Sequence, residues 1–321
     1  MDEMIRRLSQ EEYVSGEQLA QEMQLSRSAV WKRIEQAREN GWEIVSGGKK
    51  GYHLETGDRL EPELWVDALT TDHIGRGDIL YADTLDSTNV QLKRMALEGS
   101  PHGSLALCER QHAGRGRLGR QWVSVKGQGL LQSVLLRPDI LPRQVPMVTY
   151  VVALSMAEAV KESAGAEVRI KWPNDLVLGD KKICGILNEA GMDMDRVDWI
   201  VCGVGLNVFE GAVPEELRHQ ATSLDAAVVP PRRREIFVSY LRFLEKNMVA
   251  FEKKGWSALE KQYRELSCTL GKHVRVVGTE EFEGTAEDMQ EDGGLLVRRQ
   301  DGSLTCVYAG DVSVRGVMGY V

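Results

Sequence analysis

The sequence predicts an α+β protein in three parts: an N-terminal winged helix-turn-helix, a larger central mixed α/β domain and a small all-β C-terminal domain. Three observations predict it. Two short segments with helical apolar spacing are followed at once by two alternating segments around a Gly-rich turn. Short strand-like runs then alternate with longer helical runs to about residue 267, and from Gly271 only short strands broken by hairpin turn signals remain. The implied boundaries are 1–60, 61–268 and 269–321.

The first helix starts at Ser15, where Gln18 stands three residues later in capping-box register and Leu19, Ala20 and Met23 supply an apolar face. Ser26 caps a second helix, on which Val30, Ile34 and Ala37 repeat at helical spacing until Gly41 stops it. The segment WEIVSGGKKGYHLE then reads as a β-hairpin, the wing. Beyond a linker near Glu61-Pro62, the clearest helix is 146–164, with Met147, Tyr150, Val151, Leu154 and Val160 in one stripe before Gly165. Strands are expected at 105–109, 130–136, 168–171, 183–187 and 199–203, and further helices at 236–251 and 256–266. Asp292-Gly293-Gly294 and Asp301-Gly302-Ser303 are the turn signals of the C-terminal part.

Hydrophobic residues make up 42% and charged residues 27% of the 321, the balance of an ordinary folded protein rather than a disordered one. The N-terminus carries acids and no apolar h-region, and no apolar run is long enough to cross a bilayer, so a cytoplasmic chain without membrane partners is expected. Five scattered cysteines without a C-x-x-C pair point to reduced thiols, not to a disulfide framework or a protein-held metal. A net charge of −8 argues against indiscriminate coating of nucleic acid, although a local basic surface remains compatible with DNA.

Such a surface is present. Arg27, Ser28, Lys32 and Arg33 lie on or near the face of the second helix opposite its apolar stripe, as a recognition helix requires, and Lys49 and Lys50 sit at the wing tip where phosphate would be met. A protein-interaction helix would show the same charges, but helix, turn, helix and basic wing in this order favour DNA.

The stretch Gly114-Arg115-Gly116-Arg117-Leu118-Gly119-Arg120 formally contains G-x-G-x-x-G. A dinucleotide fold needs that motif to open a helix, whereas Gly127 and Gly129 break any helical pattern here, so the reading is rejected. Glycines let backbone approach a ligand and arginines offer forked donors to phosphate or carboxylate, which together make an anion-binding flap able to close over a reactive intermediate. A nucleic-acid loop or plain linker is the competing reading. Trp122 follows, suited to cover an apolar ring or base.

Asp86-Ser87-Thr88-Asn89 stands at a strand-to-helix transition, where these residues are ordinary caps and also neutral partners for a polar ring. Pro173 in Lys171-Trp172-Pro173-Asn174-Asp175 forces a turn with Asn174 and Asp175 at its tip, and Lys182 lies in a short connection before an apolar strand.

Four segments in this order, DSTN, RQHAGRGRLGRQW, KWPNDL and KKICGIL, extended by GVGLN at 203–207, closely resemble the biotin protein ligase family, and the N-terminal segment resembles the winged helix of members that also repress biotin genes. The resemblance implies a central domain of the biotin/lipoate ligase type and an SH3-like C-terminal barrel. It implies ATP-dependent formation of biotinyl-5'-AMP and transfer of biotin to a lysine of a biotin carboxyl carrier protein, with Mg2+ bound mainly through nucleotide phosphates. It places Ser87, Thr88, Asn89, Gln111, Arg115, Gly116, Arg117 and Lys182 at biotin, Arg117, Arg120, Trp122, Asn174 and Asn207 at the nucleotide, and Arg115, Arg117, Lys182 and Asp175 in the chemistry. It also implies operator binding by an adenylate-promoted homodimer.

Two positions depart from the family pattern: Leu118 replaces a frequently basic residue, and Asn188 stands where a less polar one is expected, facing solvent on an alternating strand. A lipoate-type ligase, a biotin-responsive repressor without efficient transfer, and a ligase whose winged helix only shapes the active site are the alternatives.

Overall fold

The computed structural model describes residues 3–9, 13–39, 42–55, 58–193, 195–228, 232–278, 280–309 and 313–316. The chain divides into two compact units, Met1–Leu69 and Thr70–Val321.

The first unit holds helices α1 (Glu3–Ser9), α2 (Gly16–Glu22) and α3 (Arg27–Glu39) and the hairpin β1 (Glu43–Ser46) and β2 (Tyr52–Glu55). Helix α1 adds to the two helices expected; Met4, Ile5 and Leu8 are buried along it, the spacing of one helical face. Ser15 caps α2 by accepting the Gln18 amide at 3.1 Å, and Ser26 accepts the Ala29 amide at 3.2 Å at the start of α3. Val30, Ile34 and Ala37 are buried on α3 as their spacing predicts. Gly41 lies outside the described residues. The hairpin is antiparallel, Glu43 facing Glu55 and Ser46 facing Tyr52. Gly51 is required where β2 begins: its φ is +107°, and a Cβ there would sit 2.1 Å from the Val14 carbonyl oxygen. That approach lets Val14 and Tyr52 exchange backbone hydrogen bonds of 2.9 and 2.8 Å.

The second unit is built on a seven-stranded sheet. In chain order its elements are β3 (Ile79–Leu85), α4 (Thr88–Leu97), β4 (Leu105–Gln111), β5 (Gly129–Leu136), α5 (Val148–Ala164), β6 (Arg169–Lys171), β7 (Asp175–Leu178), β8 (Lys181–Asp193), β9 (Arg196–Asn207), α6 (Arg233–Lys254) and α7 (Glu260–Leu266). The strand order is β3-β4-β5-β9-β8-β7-β6, with β3 and β4 parallel and every other pair antiparallel. Neighbouring residues of a strand point to opposite faces. Val201 on β9 accordingly packs with Leu92 and Ala96 of α4, while Cys202 lies near Tyr240 of α6. The sheet is thereby covered on both faces, and α5 packs against α6.

The expected helix at 146–164 begins with a 3-10 turn, Pro142–Met147, and ends at Gly165 with φ +66°. The helix read at 256–266 is a 3-10 turn, Trp256–Ala258, followed by the shorter α7. Two connections prove to be strand. Asp175 opens β7 instead of standing at a turn tip, and Lys182 lies inside β8; pairing of Leu176 with Cys184 draws both into the ladder. Asn188 does not face solvent: it donates to Thr149 Oγ1 of α5 at 3.2 Å, and its own Oδ1 is buried.

The C-terminal sheet comprises β10 (His273–Val277), β11 (Phe282–Met289), β12 (Leu295–Arg299), β13 (Leu304–Val307) and β14 (Ser313–Gly316), antiparallel in the order β13-β12-β11-β10-β14. Its turn at Gly293 rests on α5, where the Tyr150 hydroxyl donates to the Gly293 carbonyl at 2.8 Å. No helix among the described residues is long and apolar enough to cross a membrane.

A buried ion pair joins α6 to the ends of two strands. Arg233, 4% exposed, donates to Glu109 at 2.7 Å and to the Gly129 carbonyl at 3.0 Å. Arg233→Met leaves the buried Glu109 carboxylate with the Tyr81 hydroxyl but without its cation, and is expected to cost about 3–5 kcal/mol in urea unfolding, with Glu109→Gln added to it recovering part of the loss. Four cysteines are buried and Cys306 is exposed, and burial pushes the Cys108 thiol up to about 12. A thiol reagent at pH 8 is expected to titrate one cysteine in the native protein and five in denaturant, with Cys306→Ser abolishing the native reaction.

Candidate active site

Beneath the Gly-Arg segment, on the face of the sheet that carries α4, is a cavity of about 690 Å³, the size of a small-molecule site. Its floor is made by glycine. Gly185 of β8 pairs with Gly205 of β9, and Gly203 lies one pleat further along. A Cβ on Gly205 would fall 2.5 Å from the Trp122 ring, one on Gly185 2.8 Å from it, and one on Gly203 2.0 Å from Asn89 Oδ1. These absent side chains are what admit the indole to the sheet.

One end of the cavity is polar and neutral. The Asp86 carboxylate accepts the Ser87 amide and the Gln91 side chain, each at 2.7 Å, where β3 turns into α4. Burial raises the Asp86 pKa, but the Gln91 and Ser87 hydrogen bonds outweigh it and hold the group below the usual range. Ser87 occupies the N-cap position with extended backbone, yet its hydroxyl makes no capping bond. Thr88 and Asn89 are buried beside it, with the Thr88 amide donating to Gln111 Oε1 at 2.7 Å. DSTN is therefore more than a helix cap: its side chains reach inward.

The Gly-Arg segment closes the other end. Ser124 exchanges hydrogen bonds of 2.9 Å with both backbone groups of Gln111, Trp122 donates its amide to Gly114 at 3.0 Å, and Gly116 donates to Arg120 at 2.7 Å. The result is a folded turn, with a 3-10 turn Arg117–Gly119 and no dinucleotide-type helix. Leu118 takes a left-handed φ of +55° and is exposed. Arg115 and Arg120 line the cavity from this turn. Arg117 is half-buried and donates to Asn174 Oδ1 at 2.9 Å and to the Ala309 carbonyl just after β13. Burial lowers its pKa and the nearby Asp175 raises it, yet a guanidinium stays charged throughout.

From β7 and β8 come Asp175 and Lys182, paired at 2.6 Å with side chains only 15% and 25% exposed. The Lys182 ammonium also stands 5.7 Å from the centre of the Trp122 ring. Asn174 is fixed by donating to the Ile186 carbonyl at 2.9 Å. Lining charges are thus Arg115, Arg117, Arg120, Lys171 and Lys182 against the single carboxylate of Asp175. In a chain of net charge −8, this local excess of cations selects an anionic ligand. Among the described residues no group of three or more His, Cys, Asp or Glu is placed to hold a metal ion.

The structure therefore brings Ser87, Thr88, Asn89, Gln111, Arg115, Gly116, Arg117, Arg120, Trp122, Asn174, Asp175 and Lys182 to one cavity. Asn207 stands apart at the end of β9, where its amide donates to the Thr222 carbonyl at 3.1 Å. Sequence reading missed Lys171, Gly185, His219 and Gln220 in the lining. Glycines alternating along a strand were a usable signal for the floor; nothing local marks His219 or Gln220.

In the first unit, Arg27, Ser28, Lys32 and Arg33 are exposed on α3. Arg27 pairs with Glu17 at 2.5 Å, and Lys50 lies 5.4 Å from the centre of the Tyr13 ring. The side chain of Lys49 lies outside the described set. Arg38 ties helix to wing by donating to the Ile44 carbonyl at 2.9 and 2.6 Å. Trp31, 55% exposed on the same helix, was not expected from the charge pattern.

Family models match in three places: an HTH domain over residues 1–53, the Biotin/lipoate A/B protein ligase family over 81–207 and the Biotin protein ligase C terminal domain over 269–315. The chain is 33% identical over 311 residues to the bifunctional ligase/repressor BirA of Bacillus subtilis, covering 94% of each chain. It is 30% identical to the protein of that name from Escherichia coli, covering 97% of this chain and 96% of the relative. Among solved structures, the biotin protein ligase of Aquifex aeolicus in complex with biotin and ATP superposes with a TM-score of 0.66 at 28% identity, over 74% of this chain and 99% of that one. The chain belongs to the biotin protein ligase family, among the members that join a helix-turn-helix domain, a ligase domain and a C-terminal ligase domain in one polypeptide.

Proposed function

We propose that this chain is an ATP-dependent biotin protein ligase that also represses transcription through its N-terminal domain. The observation that carries the ligase reading is a single cavity with a neutral polar end at Thr88 and Gln111 and a cationic end at Arg117 and Lys182. Biotin has the same division, a neutral ureido ring and an anionic carboxylate. In the first step the carboxylate oxygen attacks the α-phosphorus of ATP, the bond to the β-phosphate oxygen breaks, and pyrophosphate leaves. In the second, a lysine amine of a biotin carboxyl carrier protein attacks the acyl carbon and AMP leaves.

Ser87, Thr88, Asn89 and Gln111 hold the ring, joined by the backbone of Arg115 to Arg117. Arg115, Arg117, Arg120 and Lys182 hold carboxylate and phosphates together and stabilise the charge that moves to pyrophosphate. The 2.6 Å pair with Asp175 supports a role for that carboxylate in aiming the Lys182 ammonium. Trp122 covers the ligand, Asn174 orients Arg117, and Asn207 acts from the rim near the adenylate. Mg2+, held mainly by the nucleotide phosphates, would supply charge neutralisation on the triphosphate.

Residues 1–60 carry operator recognition, with Arg27, Ser28, Lys32 and Arg33 in the major groove and Lys49 and Lys50 at phosphate; 61–268 carry the chemistry; and 269–321 help to close the site. An adenylate-promoted homodimer fits an operator of two half-sites.

Radiolabelled biotin is expected to pass to a biotin carboxyl carrier domain only with ATP and Mg2+, and Lys182→Ala and Arg117→Ala are each expected to slow pyrophosphate release by about 10²–10³. Bound biotin with no transfer in the native protein would favour a repressor alone. For DNA, Lys32→Ala is expected to lower the slope of log affinity against log salt by about 1 on any duplex, measured by fluorescence anisotropy of the adenylate-loaded protein. An unchanged slope would remove Lys32 from the interface.

A further inference from the structure

The neutral end of the cavity continues beneath its wall into a chain of hydrogen bonds that ends on a carboxylate. Asn89 Nδ2 donates to Glu189 Oε2 at 2.9 Å and to the Leu187 carbonyl at 3.1 Å, and Glu189 Oε1 is paired with Lys93 at 2.6 Å. Neither acceptor can donate, so the Asn89 amide is fixed with its nitrogen toward β8. Its oxygen then lies 2.7 Å from Ser133 Oγ, and a carbonyl oxygen only accepts, so the one Ser133 proton is committed there. Ser133 Oγ is also 2.8 Å from Thr88 Oγ1. Having given its proton to Asn89, Ser133 accepts at that contact, and the Thr88 proton points down the chain.

The competing position for that proton is Gln111 Oε1, 3.2 Å from the Thr88 hydroxyl and already taken by the Thr88 amide at 2.7 Å. Choosing it would leave two buried hydroxyl oxygens 2.8 Å apart with no proton between them, the costlier arrangement. With its proton turned inward, Thr88 offers the cavity only lone pairs.

We propose that Glu189, braced by Lys93, is a positioning residue that sets the direction of this chain and so makes Thr88 an obligate acceptor, selecting a ring N–H over an isosteric ring oxygen. The proposal rests on the reading above that the ureido ring lies against Thr88. In Glu189→Gln the Lys93 ammonium holds the side-chain oxygen and the Nε2 donor faces Asn89, so only the longer contact to the Leu187 carbonyl opposes a turn of the amide and a reversal of the chain. Lys93→Met removes the brace without touching the carboxylate.

The test is calorimetric binding of biotin and of the two analogues in which one or the other ureido N–H is replaced by oxygen, using the full chain. The native protein is expected to reject one analogue by at least about tenfold relative to biotin. Glu189→Gln is expected to erase most of that preference and weaken biotin about tenfold, with KM for ATP unchanged, and Lys93→Met to move discrimination the same way by a smaller factor. A merely structural role for Glu189 would weaken all three ligands alike. Discrimination retained in Glu189→Gln, or in Lys93→Met should the first variant not fold, overturns the proposal while Thr88→Val still impairs biotin binding. Native affinity in Thr88→Val, or equal binding of both analogues by the native protein, overturns the ligand placement and the proposal with it.

Discussion

Gly185 and Gly205 face each other across β8 and β9, and neither can be replaced without displacing Trp122, whose ring occupies the space their side chains would fill. The indole in turn stands beside the Lys182 ammonium and carries the end of the Gly-Arg turn, since its amide is bonded to Gly114. Gly203, on the same face, leaves the room that the Asn89 amide uses. A sheet otherwise filled with valine, leucine and isoleucine is thereby opened on one face only. The opposite face of the same strands is covered by α5, where Asn188 meets Thr149, and by Tyr240 of α6 near Cys202, so the cavity is a recess in a packed floor and not a gap in the core.

That recess separates two kinds of chemistry. Where β3 and β4 end, buried hydroxyls and amides hydrogen-bond one another and carry no net charge into the cavity. Where β7 and β8 meet the Gly-Arg turn, five cations face one carboxylate. Keeping the two apart matters physically: a charged group at the neutral end would be desolvated without a partner, whereas cations gathered at the other end suit an anionic ligand that brings their partners with it. The proposed function rests on this division along the cavity.

The C-terminal sheet bears directly on this arrangement. Tyr150 accepts the Trp172 indole N–H at 3.0 Å and donates to Gly293, so one buried hydroxyl joins the segment before Asn174 to the second sheet. Arg117 reaches the segment just after β13 through the Ala309 carbonyl. The Arg117 guanidinium is thus shared between Asn174 and the segment that follows β13.

Much of this was legible along the chain, because it rests on local rules. Helical spacing gave α2 and α3, serine caps gave their starts, alternation around glycines gave the wing, and the run of Gly and Arg marked a segment that lines the cavity. What the sequence could not decide is what depends on pairing between distant residues. Asp175 and Lys182 read as turn residues until the β7 and β8 ladder drew them into strands and faced one against the other, and Asn188 read as solvent-exposed until α5 was packed over it. Glu189, Ser133 and Thr88 carry no common motif and stand far apart in sequence; only the ladder of β5, β9 and β8 beside α4 makes them one hydrogen-bond chain. Residue types determined which chemistry was possible here, and the sheet register determined which residues perform it, because a strand fixes direction for side chains that the linear order leaves free.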